Sequence, residues 1–295
     1  MNEKVLFDTD IGSDIDDALA LAYLLKEPRC ELLGVTTVTS FPDRRAEMVS
    51  AMCRHAGRPD IPIHVGAPQA LMSELVQKTA AQAAAVSAWD HATFAKDNTA
   101  IEFLYRNIVA HPGEVTLLAV GPMTNIALLF MAHPEAPAML KQLVLMCGRF
   151  AHGGGTEWNV INDAHAAAVV YGNFAQSRPP VHYSCGLDVT TQCTMERDEC
   201  RKKFAEYPIL APVRDFAEVW FKRSPRVTFH DPLAAVSVFD PGVCGWRDVR
   251  VEVSLHAPTR GVTVPRYEGA DLPHKIGETV DSARFFDRYF GALAR

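Results

Sequence analysis

"KVLFDTDIGSDIDDALALAYLLKEP", residues 4–28, opens on a short apolar run and closes on a helix stopped by Pro28. KVLFDT has the continuous apolar character of a strand covered on both faces. DDALALAYLLKE is built of strong helix formers with acidic residues at its start. Strand, polar loop and helix in that order begin a βαβ unit. The alternation continues outward through ELLGVTTV (31–38), a helix over about Arg44 to His55, IPIHVG (61–66), a helix over Ala100 to Ala110 and VTLLAVG (115–121). Another helix precedes QLVLMCG (142–148), and Asp163 to Tyr171 is helical again. The expected fold is α/β: a single open, mostly parallel sheet flanked by helices, with residues 1–295 as one domain.

In such a sheet the ligand sits beyond the carboxyl ends of the strands. Asp10, Val120 and Met146 fall at three of those ends. "KTAAQAAAVSAWDHATF" (78–94) reads as a helix or as a flap over the site. In the last third, "VRVEVSLH" suggests one more strand and "VDSARFFDRYFGALAR" a closing helix.

The chain has 295 residues, 48% hydrophobic and 22% charged, with a formal charge of -6. That balance argues against a nucleic-acid backbone or an anionic membrane as principal partner and leaves a small neutral substrate. The seven cysteines are scattered and never form a CxxC pair, so neither a disulfide framework nor a zinc site is expected. The uncharged stretch Val115 to His133 is broken by Gly121-Pro122 and Thr124-Asn125, which is strand, turn and helix rather than a membrane span. No signal-peptide pattern precedes Asp8, and a cytoplasmic enzyme is the expectation.

Five aspartates, Asp8, Asp10, Asp14, Asp16 and Asp17, crowd the first loop. Two carboxylates about 4 Å apart repel by about 4 kcal/mol at an effective dielectric of 20. Helix capping accounts for two or three of them, with Asp14 as N-cap and Asp16 or Asp17 in the first turn. It leaves Asp8 and Asp10 unexplained, whereas converging hard oxygen ligands suit Ca²⁺ or Mg²⁺. The spacing is not that of an EF-hand. Two distant signals join this one. "VTFHDPLAAVSVF" (227–239) places His230 beside Asp231-Pro232, an N-cap followed by a first-turn proline. "TEWNVINDAHAAA" (156–168) sets Glu157 and Asn159 just before a helix.

Taken in order, "DTDIGSDIDDALAL", "AVGPMTNIALL", "EWNVINDAHAA", "GLDVT" and "HDPLAAVSVFDP" resemble the nucleoside hydrolases of the inosine-uridine type, from residue 5 to the final helix. The resemblance implies calcium-dependent hydrolysis of the N-glycosidic bond of ribonucleosides, through water activated at the ion. Asp10, Asp17, Asp231 and the Val120 carbonyl would hold Ca²⁺, an all-oxygen set. Asp10 would be the general base and His230 the proton donor to the leaving base. Asp16, Asn159, Glu157 and Met146 would line the ribose, with Asp14 exchanging roles with Asp16 if the longer loop is aligned differently. Asp8 would brace Asp10 or the ion from behind. The family's habit implies a homodimer or homotetramer.

Two stretches depart from that pattern. After GVTTV the polar pair that orients the attacking water is replaced by "TSFPDRRAEM", with Phe41 near the position and Thr39 or Ser40 as substitutes. "RFAHGGGTEWN" puts His152 and three glycines where a second polar pair is usual, giving a flexible wall. These changes bear on the nucleobase rather than on the floor. Two other readings compete: a haloacid-dehalogenase-type phosphatase with Asp8 as nucleophile and Asp10 as acid, and a calcium-dependent riboside-binding protein altered at Phe41.

Overall fold

A computed structural model describes residues 2–172 and 178–295. The first half alternates as its sequence pattern requires: β1 (Glu3–Thr9), α1 (Asp16–Lys26), β2 (Cys30–Thr37), α2 (Pro42–His55), β3 (Ile63–Val65), α3 (Ala100–Ala110), β4 (Val115–Ala119), α4 (Thr124–Ala132), the short α5 (Ala136–Met139) and β5 (Gln142–Met146). β4 is buried at every position and β1 from Val5 onward. Burial on both faces is the reason their sequences run apolar instead of alternating.

The middle of the chain is built of shorter pieces: β6 (Gly155–Thr156), α6 (Trp158–Asn162), α7 (Ala164–Tyr171), β7 (His182–Cys185), α8 (Leu187–Thr190), β8 (Thr194–Glu196), α9 (Arg197–Ala205), α10 (Ala211–Trp220) and β9 (Arg226–Thr228). The chain then runs through α11 (His230–Phe239), β10 (Cys244–Val253), β11 (Val262–Arg266), β12 (His274–Val280) and α12 (Ser282–Leu293).

One ten-stranded sheet has the order β3-β2-β1-β4-β5-β7-β12-β10-β11-β6, and β8 pairs with β9 separately. From β3 to β12 every pairing is parallel. β10, β11 and β6 then extend the sheet antiparallel. Among the described residues, the last third of the chain holds four strands, β9 to β12, where one is expected. Pro265 within β11 and the polar Lys275, Glu278 and Thr279 of β12 blur the strand pattern there. Two apolar cores cover the faces of the sheet: one centres on α1, α11 and α12, the other on α3, α4 and α7. No helix among the described residues is long and apolar enough to cross a membrane.

The strand order reverses between β1 and β4, which makes their carboxyl ends the topological switch point. Asp10 follows β1 and Val120 follows β4. The Ala-rich segment is helical over Ala81–Ala88, as a 3-10 rather than an α-helix, with Gln82, Ala83 and Val86 buried. Its Gln82 N–H donates to the Gly12 carbonyl at 3.0 Å, which ties the segment to the aspartate loop.

Candidate active site

The loop between β1 and α1 folds over a buried cation. Arg45, on the inner face of α2, is 0% exposed. Its guanidinium donates to the carbonyls of Asp10, Ile11 (2.9 Å), Ser40 (2.9 Å) and Thr79 (3.2 Å) and to Ser13 Oγ (3.0 Å). Burial lowers the pKa of Arg45, while the charges of Asp10 and Asp17 oppose that. Planar donors satisfied by carbonyls suit arginine at such a position. Gly121 backs the loop from the β4 side. A Cβ there would lie 3.0 Å from the Asp10 amide nitrogen and from Oδ1, so only glycine permits the approach.

Asp10 Oδ2 accepts a hydrogen bond from Gln77 Nε2 at 2.6 Å. Burial raises the pKa of Asp10, against the pull of Arg45 and Gln77. At the start of α1 and α11, the carboxylate oxygens of Asp16, Asp17 and Asp231 lie within 4.8 Å of one another. Burial first and the charges of neighbouring aspartates second push all three well above the usual carboxylate range: Asp14 and Asp17 act on Asp16, Asp10 and Asp14 on Asp17, and Asp16 and Asp17 on Asp231. Thr9 Oγ1 donates to Asp17 Oδ1, and the Asp231 amide donates to Asp16 Oδ2 at 3.1 Å. An all-oxygen donor set, buried and crowded with like charge, fits a hard divalent cation.

Capping explains less than its sequence signals suggest. α1 is capped at Ile15 with no side-chain bond, so Asp14 is not the N-cap; its Oδ1 takes the Ile15 amide instead. Burial and the nearby Asp10 push Asp14 up to about 7, against Arg223. α11 begins at His230 with Phe229 as cap, which moves Asp231 into the first turn beside the other carboxylates. Glu157 is a true cap: its carboxylate accepts from the amides of Asn159 (2.7 Å), Val160 and Gly148 (both 3.2 Å). Burial pushes it up to about 7. Asn159 Nδ2 donates to the carbonyls of Val120 at 2.6 Å and Met146 at 3.2 Å, bridging the ends of β4 and β5. His230 Nδ1 pairs with Thr190 Oγ1 at 2.7 Å, and burial lowers its pKa to about 4. The ring is neutral at pH 7.

These groups open into one cavity of about 600 Å³. Asp10, Asp14, Asp16, Asp17, Val120, Met146, Glu157, Asn159, His230 and Asp231 all line it, as do Gln77, Trp158, Trp220 and Arg223. The Arg223 guanidinium lies 5.2 Å from the Trp220 ring centroid and donates to the Ser13 carbonyl at 2.6 Å. Gln77 and Arg223 carry no spacing signal, being loop and helix-end residues far from the acidic motif. Trp158 stands inside the "TEWN" motif, but nothing beside it in sequence points to a role.

Asp8, Phe41 and the stretch around His152 lie away from the cavity. Asp8 is 0% exposed and does not line the cavity. Its Oδ2 accepts from Thr36 Oγ1 and Asn125 Nδ2, which ties β1 to β2 and α4. A carboxylate so enclosed cannot be a phosphatase nucleophile. Nor does it touch Asp10 through a hydrogen bond among the described residues. Phe41 is 49% exposed in a left-handed conformation at the start of α2, off the cavity. His152 and the glycine run also lie outside the lining. Just before them, Asp188 accepts from the amides of Phe150 (2.7 Å) and Ala151 (2.9 Å).

Comparison with known proteins agrees with this geometry. The family model described as "Inosine-uridine preferring nucleoside hydrolase" matches residues 5–287. The pyrimidine-specific ribonucleoside hydrolase RihA of Shewanella sp. (strain MR-7) is 31% identical, covering 100% of this chain and 97% of its own. Uridine nucleosidase 1 of Arabidopsis thaliana is 29% identical over 89% of this chain and 80% of its own. Among solved structures, the purine-preferring ribonucleoside hydrolase from Gardnerella vaginalis superposes with a TM-score of 0.84 at 24% identity, covering 99% of this chain and 98% of that one. The inosine-uridine preferring nucleoside hydrolase of Bacillus anthracis gives 0.78 at 22%, covering 99% of each chain.

Proposed function

This chain belongs to the inosine-uridine preferring nucleoside hydrolase family, and from that premise we propose that it hydrolyses pyrimidine ribonucleosides, uridine foremost, in a calcium-dependent reaction with Asp10 as general base. The buried trio Asp16, Asp17 and Asp231 beside Asp10 carries the reading. Uridine is put first because relatives at 29–31% identity bear uridine or pyrimidine names.

Asp17 and Asp231 of that trio, joined by Asp10 and the Val120 carbonyl, would hold the ion, leaving Asp16 beside it for the ribose. When bound, Ca²⁺ lowers the pKa of a neighbouring water and holds ribose hydroxyls. Cleavage of an N-ribosidic bond develops positive charge on the sugar, and a carboxylate-rich floor stabilises it. Asp10 accepts the proton of the attacking water. Asp16, Asn159 and Glu157 position the ribose hydroxyls, with Met146 and Asp14 beside them. His230, neutral and hydrogen-bonded to Thr190, presents its other ring nitrogen to the leaving base. A neutral imidazole is a weak acid, and Arg223 assists it. The fixed positive charge of that guanidinium stabilises electron density arriving on the base carbonyls. Trp158 and Trp220 form the apolar wall against the base.

The test is release of reducing ribose from uridine, cytidine, inosine and adenosine, with Ca²⁺ and after chelation. Calcium-dependent release, fastest from uridine, is the expected result. Release that survives chelation removes the ion from the account.

A further inference from the structure

The family pattern has a polar pair after the second strand; this chain has Thr39 and Ser40 there, and neither hydroxyl is bonded to Asp10 among the described residues. Ser40 Oγ donates elsewhere, to the Gln77 carbonyl at 2.8 Å, and Thr39 Oγ1 is buried with no hydrogen-bond partner among the described residues. The amide that meets Asp10 comes from another loop. Gln77 is 4% exposed and lies between β3 and α3. Its backbone is clamped on both sides, since its N–H also donates to Asn162 Oδ1 at 2.7 Å. Its side chain joins two groups of opposite character: Nε2 donates to Asp10 Oδ2 at 2.6 Å, and Oε1 accepts from Trp158 Nε1. An indole N–H can only donate and a carboxylate can only accept. The amide is therefore fixed in one of its two flips by its partners.

We propose that Gln77 is the positioning residue of Asp10, held in orientation by Trp158, and that it takes the place of the family's polar pair. With Oδ2 taken by Gln77 and Oδ1 set against Gly121, the plane of the Asp10 carboxylate is determined before substrate arrives. Val76, Lys78 and Thr79, the neighbours of Gln77, line the cavity, so docking of this loop and alignment of the base are one event. The proposal rests on the ribohydrolase reading for its catalytic meaning, while the relay from Asp10 to Trp158 stands on geometry alone.

The experiment compares uridine turnover in Ca²⁺ for the wild type, Gln77→Leu, Gln77→Glu, Trp158→Phe and the double variant Gln77→Leu/Trp158→Phe. Loss of a hydrogen bond to a charged group lowers kcat about ten- to a hundredfold in Gln77→Leu. KM stays within about threefold, because the bond orients the base rather than the sugar. Gln77→Glu, which turns an acceptor towards the carboxylate, falls at least as far. Trp158→Phe keeps the ring and loses the donor; its effect is smaller and vanishes in the Gln77→Leu background. Multiplying effects in the double variant, or a loss in KM instead of kcat, overturns the proposal.

A second readout needs no turnover. The indole N–H resonance of Trp158, assigned by its disappearance in Trp158→Phe, should shift in Gln77→Leu and also in Asp10→Ala. An unmoved resonance in Asp10→Ala refutes the relay. If the wild type releases no ribose from any riboside, the ribohydrolase reading fails, and this spectrum still decides the relay.

Discussion

Replacing Asp231 by Asn should stabilise the protein without metal and weaken its response to metal. The oxygens of Asp16, Asp17 and Asp231 lie within 4.8 Å of one another. At that separation and an effective dielectric of 20, one ionised pair repels by about 3.5 kcal/mol, and Asp231 faces two. Protonation limits the penalty: keeping an aspartic acid of ordinary pKa protonated at pH 7 costs about 4 kcal/mol. The Asp231 carboxylate makes no hydrogen bond among the described residues, so an isosteric amide removes the charge and little else. Relief of about 3 kcal/mol follows. With an unfolding entropy of about 2.1 cal/mol/K per residue, this 295-residue chain gains about 5 °C in Tm. Calcium at a hundred times its Kd adds about 2.7 kcal/mol to the wild type, or about 4 °C. Thermal melts in chelator and in calcium give both numbers. A variant that melts below the wild type in chelator would show that the third carboxylate stabilises the fold by itself. The crowding argument would then be wrong.

Burial lowers the pKa of His182 well below its ordinary value and that of His274 to about 4. At these two positions the unfolded chain, titrating near 6.5, binds more protons in that window, so the contribution of the two rings is complete above pH ~6.5 and declines as the pH falls towards 4. A ring lowered this far loses about 2 kcal/mol at pH 5, and His230, also near 4, adds to the same loss; urea unfolding in calcium at pH 7.5 and 5.0 reads the loss, which His182→Phe should reduce by about 2 kcal/mol. For 2′-deoxyuridine, kcat/KM should fall at least about a thousandfold relative to uridine, because buried partners of the missing hydroxyl stay unpaired; equal rates would place the ribose elsewhere. Arg223→Met should slow uridine about ten- to a hundredfold, the scale of a charged hydrogen bond. It should leave p-nitrophenyl riboside, whose leaving group needs no help, nearly unchanged, and equal losses on both would reduce Arg223 to a structural role.

The acidic floor was legible because its chemistry is written in short motifs at strand ends: Asp10 after β1, Val120 after β4, Asp231 at the start of α11. The parallel half of the sheet was legible for a related reason, since strands buried on both faces have unbroken apolar runs. What escaped lacks local signals. Arg45 sits on an amphipathic helix where an arginine ordinarily faces water, and only the folded loop supplies the carbonyls that bury it. Gln77 gains its meaning from Asp10 and Trp158, respectively 67 and 81 positions away. β6, two residues long, is defined by its pairing with β11 and by a bridge from Gly155 to Arg149. Phe41 drew attention as a departure from the family pattern, but the backbone turns it outwards.

The most direct test of Asp10 as general base is uridine turnover by Asp10→Asn in saturating calcium, with uridine binding measured alongside by calorimetry. Removing a positioned general base lowers kcat by about 10²–10⁴, with binding retained. Turnover within a few-fold of the wild type would contradict the account and move the base to another carboxylate of the floor.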